Sequence, residues 1–164
     1  MSIQMDNILV AKDLSKESSN VIRYALELGC KFHAQVHVLH VMPTVDSSVL
    51  NMVALTMGPD KLAEFNAINE AELAGKTRDQ LQGIIQTETE LMAEENVNPP
   101  KVEVHHGEPA PMILDVADRL DADMIILGSH SKGKLHYAFL GSVAEKILRK
   151  THRAMTIVPP KTEG

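Results

Sequence analysis

One stretch of this 164-residue chain concentrates groups suited to holding an anion. Gly128 closes a short apolar run, and Gly141-Ser142 opens a later segment with helical spacing. Between them lie Ser129, His130, Ser131, Lys132, Gly133 and Lys134. Glycine lets a backbone approach a ligand closely. The first N–H groups of a helix have no partner within it and sit at its positive end, which suits a phosphate. The Ser142 hydroxyl can cap that helix or donate to the phosphate. From Gly128 to Arg153 there are six basic residues and one acid, a local charge of +5, against −11 for the rest of the chain. A local excess of positive charge in a chain of net charge −6 fits a small anionic ligand better than a long polyanion. A second reading is open at this point. Turn glycines, a capping serine, and Arg149 and Lys150 placed at a helix end by its dipole would give the same composition.

Neighbouring motifs are near misses. Gly128-x4-Gly133-Lys134 imitates the start of a Walker A loop, but Leu135 stands where Ser or Thr is required, and the helix begins too late. No G-x-G-x-x-G occurs. The eight histidines show no metal-ligand spacing; His37 and His40 fall on opposite sides of a strand, and His105 and His106 diverge likewise. Ser129-His130 lacks the elbow of a nucleophilic serine. A lone cysteine, Cys30, excludes a disulfide framework and reads as a small core residue.

The elements that must position the loop alternate. Asn7–Lys12 reads as a buried strand. Ser15 is a candidate N-cap for a helix to about Phe32, with Val21, Ile22, Ala25, Leu26 and Phe32 as its inner stripe. Gln35–Val41 is a second strand. Residues 44–58 read as irregular with their conformation left open, and the Met52–Met57 stretch as packing against the sheet, with cover for a pocket or a partner surface as the alternative. Asp60–Glu95 reads as a helix with a break expected at Gly75 or Gly83, its nine acids and three bases marking a solvated face. Lys101–His105 is the third strand, with a helix from about Pro111 to Leu120. Asp123–Leu127 is the fourth strand, Ser142–Lys150 a helix and Ala154–Val158 the fifth strand. Strands separated by helices predict one doubly wound parallel α/β sheet with helices on both faces. Ligands of such sheets bind past the carboxyl ends of strands where the winding reverses. That singles out Asp13–Ser15, Val41–Met42 and Gly128–Ser142. The whole chain, 1–164, is expected to be one domain, with 44–98 its least defined part and 159–164 a polar tail.

Composition narrows the function classes. Aromatic residues make up 3% with no Trp, which disfavours stacking on single-stranded nucleic acid, and the net charge disfavours duplex binding. No apolar run reaches membrane-spanning length, and no signal segment is visible, so a cytoplasmic location is expected.

Three stretches resemble the universal stress protein family: Asn7–Ser15 (NILVAKDLS), Gly107–Gly128, and Gly128–Val158, which ends LGSVAEKILRKTHRAMTIV. The family's signature is G-x2-G-x9-G-[ST]. Gly128, Gly141 and Ser142 match it, and Ser131 replaces the second glycine. Asp13 matches the family's P-x-D-G-S, whereas Ala11 and Leu14 replace its proline and its glycine. The resemblance implies a Rossmann-like sheet of order 3-2-1-4-5 that binds ATP or another adenine nucleotide. Asp13 would meet the ribose, or a Mg²⁺ carried with the phosphates. The backbone near Val41 would read the adenine edge, with Ala11 and Leu127 lining the pocket. Gly128, Ser131, Lys132, Gly141, Ser142 and Val143 would cradle the phosphates, and Lys12, Ser15, Ser129, His130 and Gly133 complete the implied site. A homodimer through Ala154, Met155, Thr156, Ile157 and Val158 is also implied. The resulting expectation is a nucleotide-binding regulator in a stress response. The alternatives are a dimeric stress protein without tight nucleotide binding and a slow ATP hydrolase.

Overall fold

The computed structural model describes residues 3–14, 19–44, 47–92, 97–129 and 140–160. Five parallel strands form one sheet: β1 (Asn7–Ala11), β2 (Gln35–Met42), β3 (Lys101–His106), β4 (Met124–Gly128) and β5 (Ala154–Val158). Their order is β3-β2-β1-β4-β5, so the winding reverses between β1 and β4. The register pairs Ala11 with both Leu39 and Leu127, so β1 and β4 end within one residue of each other, while β2 runs on to Met42.

Alternation along β1 sends its side chains into two cores. Ile8 and Val10 pack with Val21, Ile22, Ala25 and Leu26 of α1 (Ser19–Phe32). Leu81 and Ile85 of α3 (Pro59–Leu91) join the same core. On the other face Leu9 packs with Ile113, Val116 and Ala117 of α4 (Pro109–Arg119) and with Ala144 and Ile147 of α5 (Ser142–Lys150). At the amino end of the sheet, the Asp123 carboxylate accepts hydrogen bonds from the backbone N–H groups of Asp6 (2.7 Å) and Asn7 (2.9 Å).

Several expectations are corrected. Residues 44–58 are not irregular throughout: Ser47–Met57 forms a helix, α2, and it packs on α3 without burying any residue. The Met52–Met57 stretch therefore does not cover the sheet. Phe32 is 42% exposed and outside the inner stripe. Its place one turn earlier is taken by Gly29, where a Cβ would come within 2.5 Å of a Val36 methyl group. Cys30 is half-buried, not a core residue. Gly75 and Gly83 do not break α3. A Cβ at either would meet nothing within 4 Å, and the buried stripe Thr77, Leu81, Ile85, Glu88 runs past Gly83 at helical spacing. That burial outweighs the roughly 1 kcal/mol that a helical glycine costs.

Long-range ion pairs tie helices to the body. Arg23 of α1 meets Glu88 of α3 at 2.7 Å. Arg153 holds Asp118 (3.1 Å) and Asp121 (3.2 Å) near the end of α4. Arg149 pairs with Glu145 one turn away on α5 at 2.7 Å. Two of the six basic residues in the +5 segment are thus neutralised locally, which weakens the charge argument for a ligand and leaves the geometric one.

Candidate functional site

A crevice of about 400 Å³ opens at the reversal point between β1 and β4. Ala11, Lys12, Asp13, Val41, Leu127, Gly128, Ser129, Gly141, Ser142 and Val143 all line it. Ser15, His130, Ser131, Lys132 and Gly133, also singled out from the sequence, lie outside the described residues. The fold therefore gathers every described candidate from three regions of the chain. Leu39, His40, Pro43, Pro109 and Ile113 also line it, with Leu14, Val21 and Ala144. Periodicity reads Leu39 and Ile113 as core, and nothing local marks the prolines. His40 carries a recoverable signal: it pairs in register one position beyond Ala11–Leu39, beside Lys12.

Backbone bonds fix the rim. The Lys12 N–H donates to the Leu39 carbonyl at 2.9 Å, which carries the ladder one residue past β1. His40 Nδ1 donates to the Lys12 carbonyl at 2.7 Å, which sets the tautomer in the neutral ring. The Gly107 N–H donates to the Met42 carbonyl at 3.0 Å, with Gly107 at φ +143°, a conformation that favours glycine. On the other side the Ser129 N–H donates to the Val158 carbonyl (3.1 Å), and the Gly141 N–H donates to the Ser129 carbonyl (3.0 Å). These two bonds hold Ser129 beside β5 and Gly141 beside Ser129 at the crevice.

Gly141 is the N-cap of α5, with φ −61° and no side-chain cap bond. Glycine is therefore not needed there for a left-handed backbone; what it contributes is an open approach to the helix end. Ser142 is the first helical residue and does not cap the helix. The first N–H groups of α5 have no partner within the helix. Ser142, Val143 and Ala144, which carry three of them, line the crevice. This arrangement can accept an anion at the helix's positive end.

The ionisable groups among the described lining residues are Lys12, Asp13 and His40. Lys12 is 5% exposed, and its ammonium is buried without a hydrogen-bond partner among the described residues. Burial holds its pKa below the usual lysine value, against the pull of the negative charges of Asp13 and Glu88. Pairing with β2 and packing under α1 and α3 place this side chain where β1's alternation sends Val10, on the side away from α5.

Among the described residues no group of three or more His, Cys, Asp or Glu side chains is disposed to hold a metal ion. His37 is buried, and its Nε2–H donates to Asn7 Oδ1 at 3.2 Å. Burial first, then the positive charge of Lys101, lowers its pKa, so its role is structural. His105 donates to Glu103, which also accepts from Arg119. Burial raises the Glu103 pKa, but these two hydrogen bonds outweigh it and hold the carboxylate below its ordinary value.

A parallel five-stranded sheet of this order, flanked by helices, defines a Rossmann-like fold. The chain belongs to the universal stress protein family, whose model matches residues 5–159. It is 31% identical over 153 residues to universal stress protein Sll1388 of Synechocystis, covering 92% of this chain and 96% of that protein. Its fold is similar to the solved structure of MJ0577 from Methanocaldococcus jannaschii. The TM-score is 0.71 at 21% identity, with 98% and 100% of the two chains covered. It is also similar to a universal stress protein solved in complex with cAMP, with a TM-score of 0.58, 15% identity, and 96% and 98% coverage.

Proposed function

We propose that the crevice binds ATP or a related adenine nucleotide, and that the protein acts through this occupancy in a regulatory stress response. One observation carries the reading. Asp13, Val41, Leu127, Gly128, Gly141, Ser142 and Val143 converge on a single hollow of about 400 Å³ at the β1–β4 reversal point. That volume lies within the range of small-molecule sites. The described residues fit the ligand's chemistry: an apolar slot at Ala11, Leu39 and Leu127 for a flat base, a carboxylate at Asp13 for ribose hydroxyls, and free helix N–H groups for phosphate oxygens. The cAMP complex of a related fold is consistent with the same ligand class. Asp13 is the only carboxylate among the described lining residues, which suits a Mg²⁺ brought in by nucleotide phosphates rather than one the protein holds itself.

The same proposal includes a homodimer through β5. This strand forms one edge of the sheet, and Ala154 is exposed there, followed by three half-buried residues. An open edge presents unpaired N–H and C=O groups that a second strand can satisfy. Beside it runs a shallow groove of about 500 Å³, bordered by Asn20, Tyr24 and Pro160.

Mass spectrometry of small molecules released from natively purified protein tests the nucleotide assignment. An adenine nucleotide in near-stoichiometric amount is expected, and it should be lost from Asp13→Ala. Protein that carries none, and takes up none from millimolar ATP, contradicts it.

A further inference from the structure

α2 is a helix without a core. It contains no charged residue and buries none of its eleven positions. Leu50, Val53 and Ala54 are half-buried, on the side that packs on α3. On the opposite side Val49, Met52 and Leu55 form a stripe at i, i+3 and i+6, with Met52 71% and Leu55 90% exposed. An apolar stripe of this kind on a helix surface normally faces another element.

The stripe stands clear of the body. α3 has 33 residues and a length of about 50 Å, whereas an eight-residue strand such as β2 spans about 26 Å. α3 returns from the end of β2 to the start of β3, antiparallel to the strands. None of its described side chains before Thr77 is buried. Its first half and α2 therefore form a hairpin arm, joined at Gly58, that extends past the carboxyl edge of the sheet.

We propose that this arm docks on the same arm of a second copy of the chain, α2 packing antiparallel against α2 about a two-fold axis near Met52. Charge decides the occupant. Each copy carries a net charge of −6, so most of its surface repels its twin. α2 is an eleven-residue surface free of that repulsion, and an apolar stripe is complementary to itself. Two helical hairpins joined this way make a four-helix bundle, an arrangement that buries such stripes. Size sets the strength. A stable interface engages about 20–30 residues a side, and α2 alone supplies eleven. The exposed Ile68 and Leu73 of α3 extend the apolar surface of the arm. The contact is accordingly concentration-dependent and independent of β5 pairing.

The test is a cross-link at the axis combined with mass measurements. Met52→Cys in a Cys30→Ser background, mildly oxidised, should give a disulfide-linked pair in high yield, whereas Ile3→Cys in the same background should not. By sedimentation equilibrium the wild type should reach, at high concentration, twice the mass of Met52→Lys/Leu55→Lys. The same twofold difference should persist when β5 carries Ala154→Lys/Thr156→Lys. Equal masses with and without the two arm lysines, or equal cross-linking at positions 52 and 3, would overturn the proposal. Flotation of the wild type, but not the lysine variant, with phosphatidylcholine vesicles would also overturn it by assigning the stripe to lipid.

Discussion

The two halves of α3 belong to one unbroken helix yet live in different solvents. From Thr77 onward the helix drives Leu81 and Ile85 between α1 and the sheet, and Glu88 reaches Arg23. Before Thr77 it carries α2 and leaves large apolar side chains in water. The contrast separates what holds the fold from what the fold holds out. The body positions the crevice, because β1 and β4 end side by side, with β2 running on beside them, only when α1, the second half of α3, α4 and α5 close both faces. The arm adds nothing to that frame and is free to meet another molecule.

The largest test of this contrast is a core truncation. Leu81→Ala, at a fully buried site, should cost about 2–5 kcal/mol in denaturant unfolding. A cost below 1 kcal/mol would mean that the second half of α3 is not part of the core. Next comes Lys12→Met. Removing a buried ammonium that has no hydrogen-bond partner among the described residues should stabilise the protein by roughly 1–3 kcal/mol at neutral pH. The sign also fixes a pH effect. The folded-state pKa of Lys12 lies below its unfolded value of 10.5, so the folded chain binds the proton less well, and wild-type stability should rise as pH climbs toward 10.5. The methionine variant should lack this rise.

A smaller effect belongs to His37, whose folded pKa is lowered from 6.5 by burial. Its contribution is complete above 6.5 and should fade as pH drops from there through the folded-state value. His37→Gln should flatten that part of the melting-temperature profile, and an unchanged profile would assign the acid sensitivity elsewhere. The smallest effect is expected on the arm. Leu55→Ser should change unfolding free energy by no more than about 0.5 kcal/mol, because the side chain is solvated already. A larger loss in dilute protein would put Leu55 in a monomer core and erase the contrast.

The body was far more legible in the sequence than the arm. Its strands are short β-branched runs between turn residues, and α1 and α5 are amphipathic; Ser142–Lys150 and Ala154–Val158 match the structure at both ends. α2 escaped because a helix without charged residues has little apolar-to-polar contrast around its axis, and its packing partner is another surface helix. Phe32 was misread because hydrophobicity alone does not show that Gly29 and Val36 already fill the space. Of the crevice, the residues at strand ends and at the start of α5 were legible, since chain reversal points and helix N-termini are local features. Pro109 and Ile113 were not, because only the β3-to-β4 crossover brings α4 over the same opening.

The most direct measurement is a calorimetric titration of nucleotide-stripped protein with ATP, run beside Gly141→Val. The valine puts a branched side chain at the open approach to α5, where the backbone is already ordinary for a non-glycine residue, so folding should be preserved. The wild type should bind one ATP per chain, and the variant at least about tenfold more weakly, roughly 1.4 kcal/mol, with an unchanged melting temperature of the unliganded protein. Equal affinity in the two proteins, or no heat with either, would contradict the assignment of the crevice.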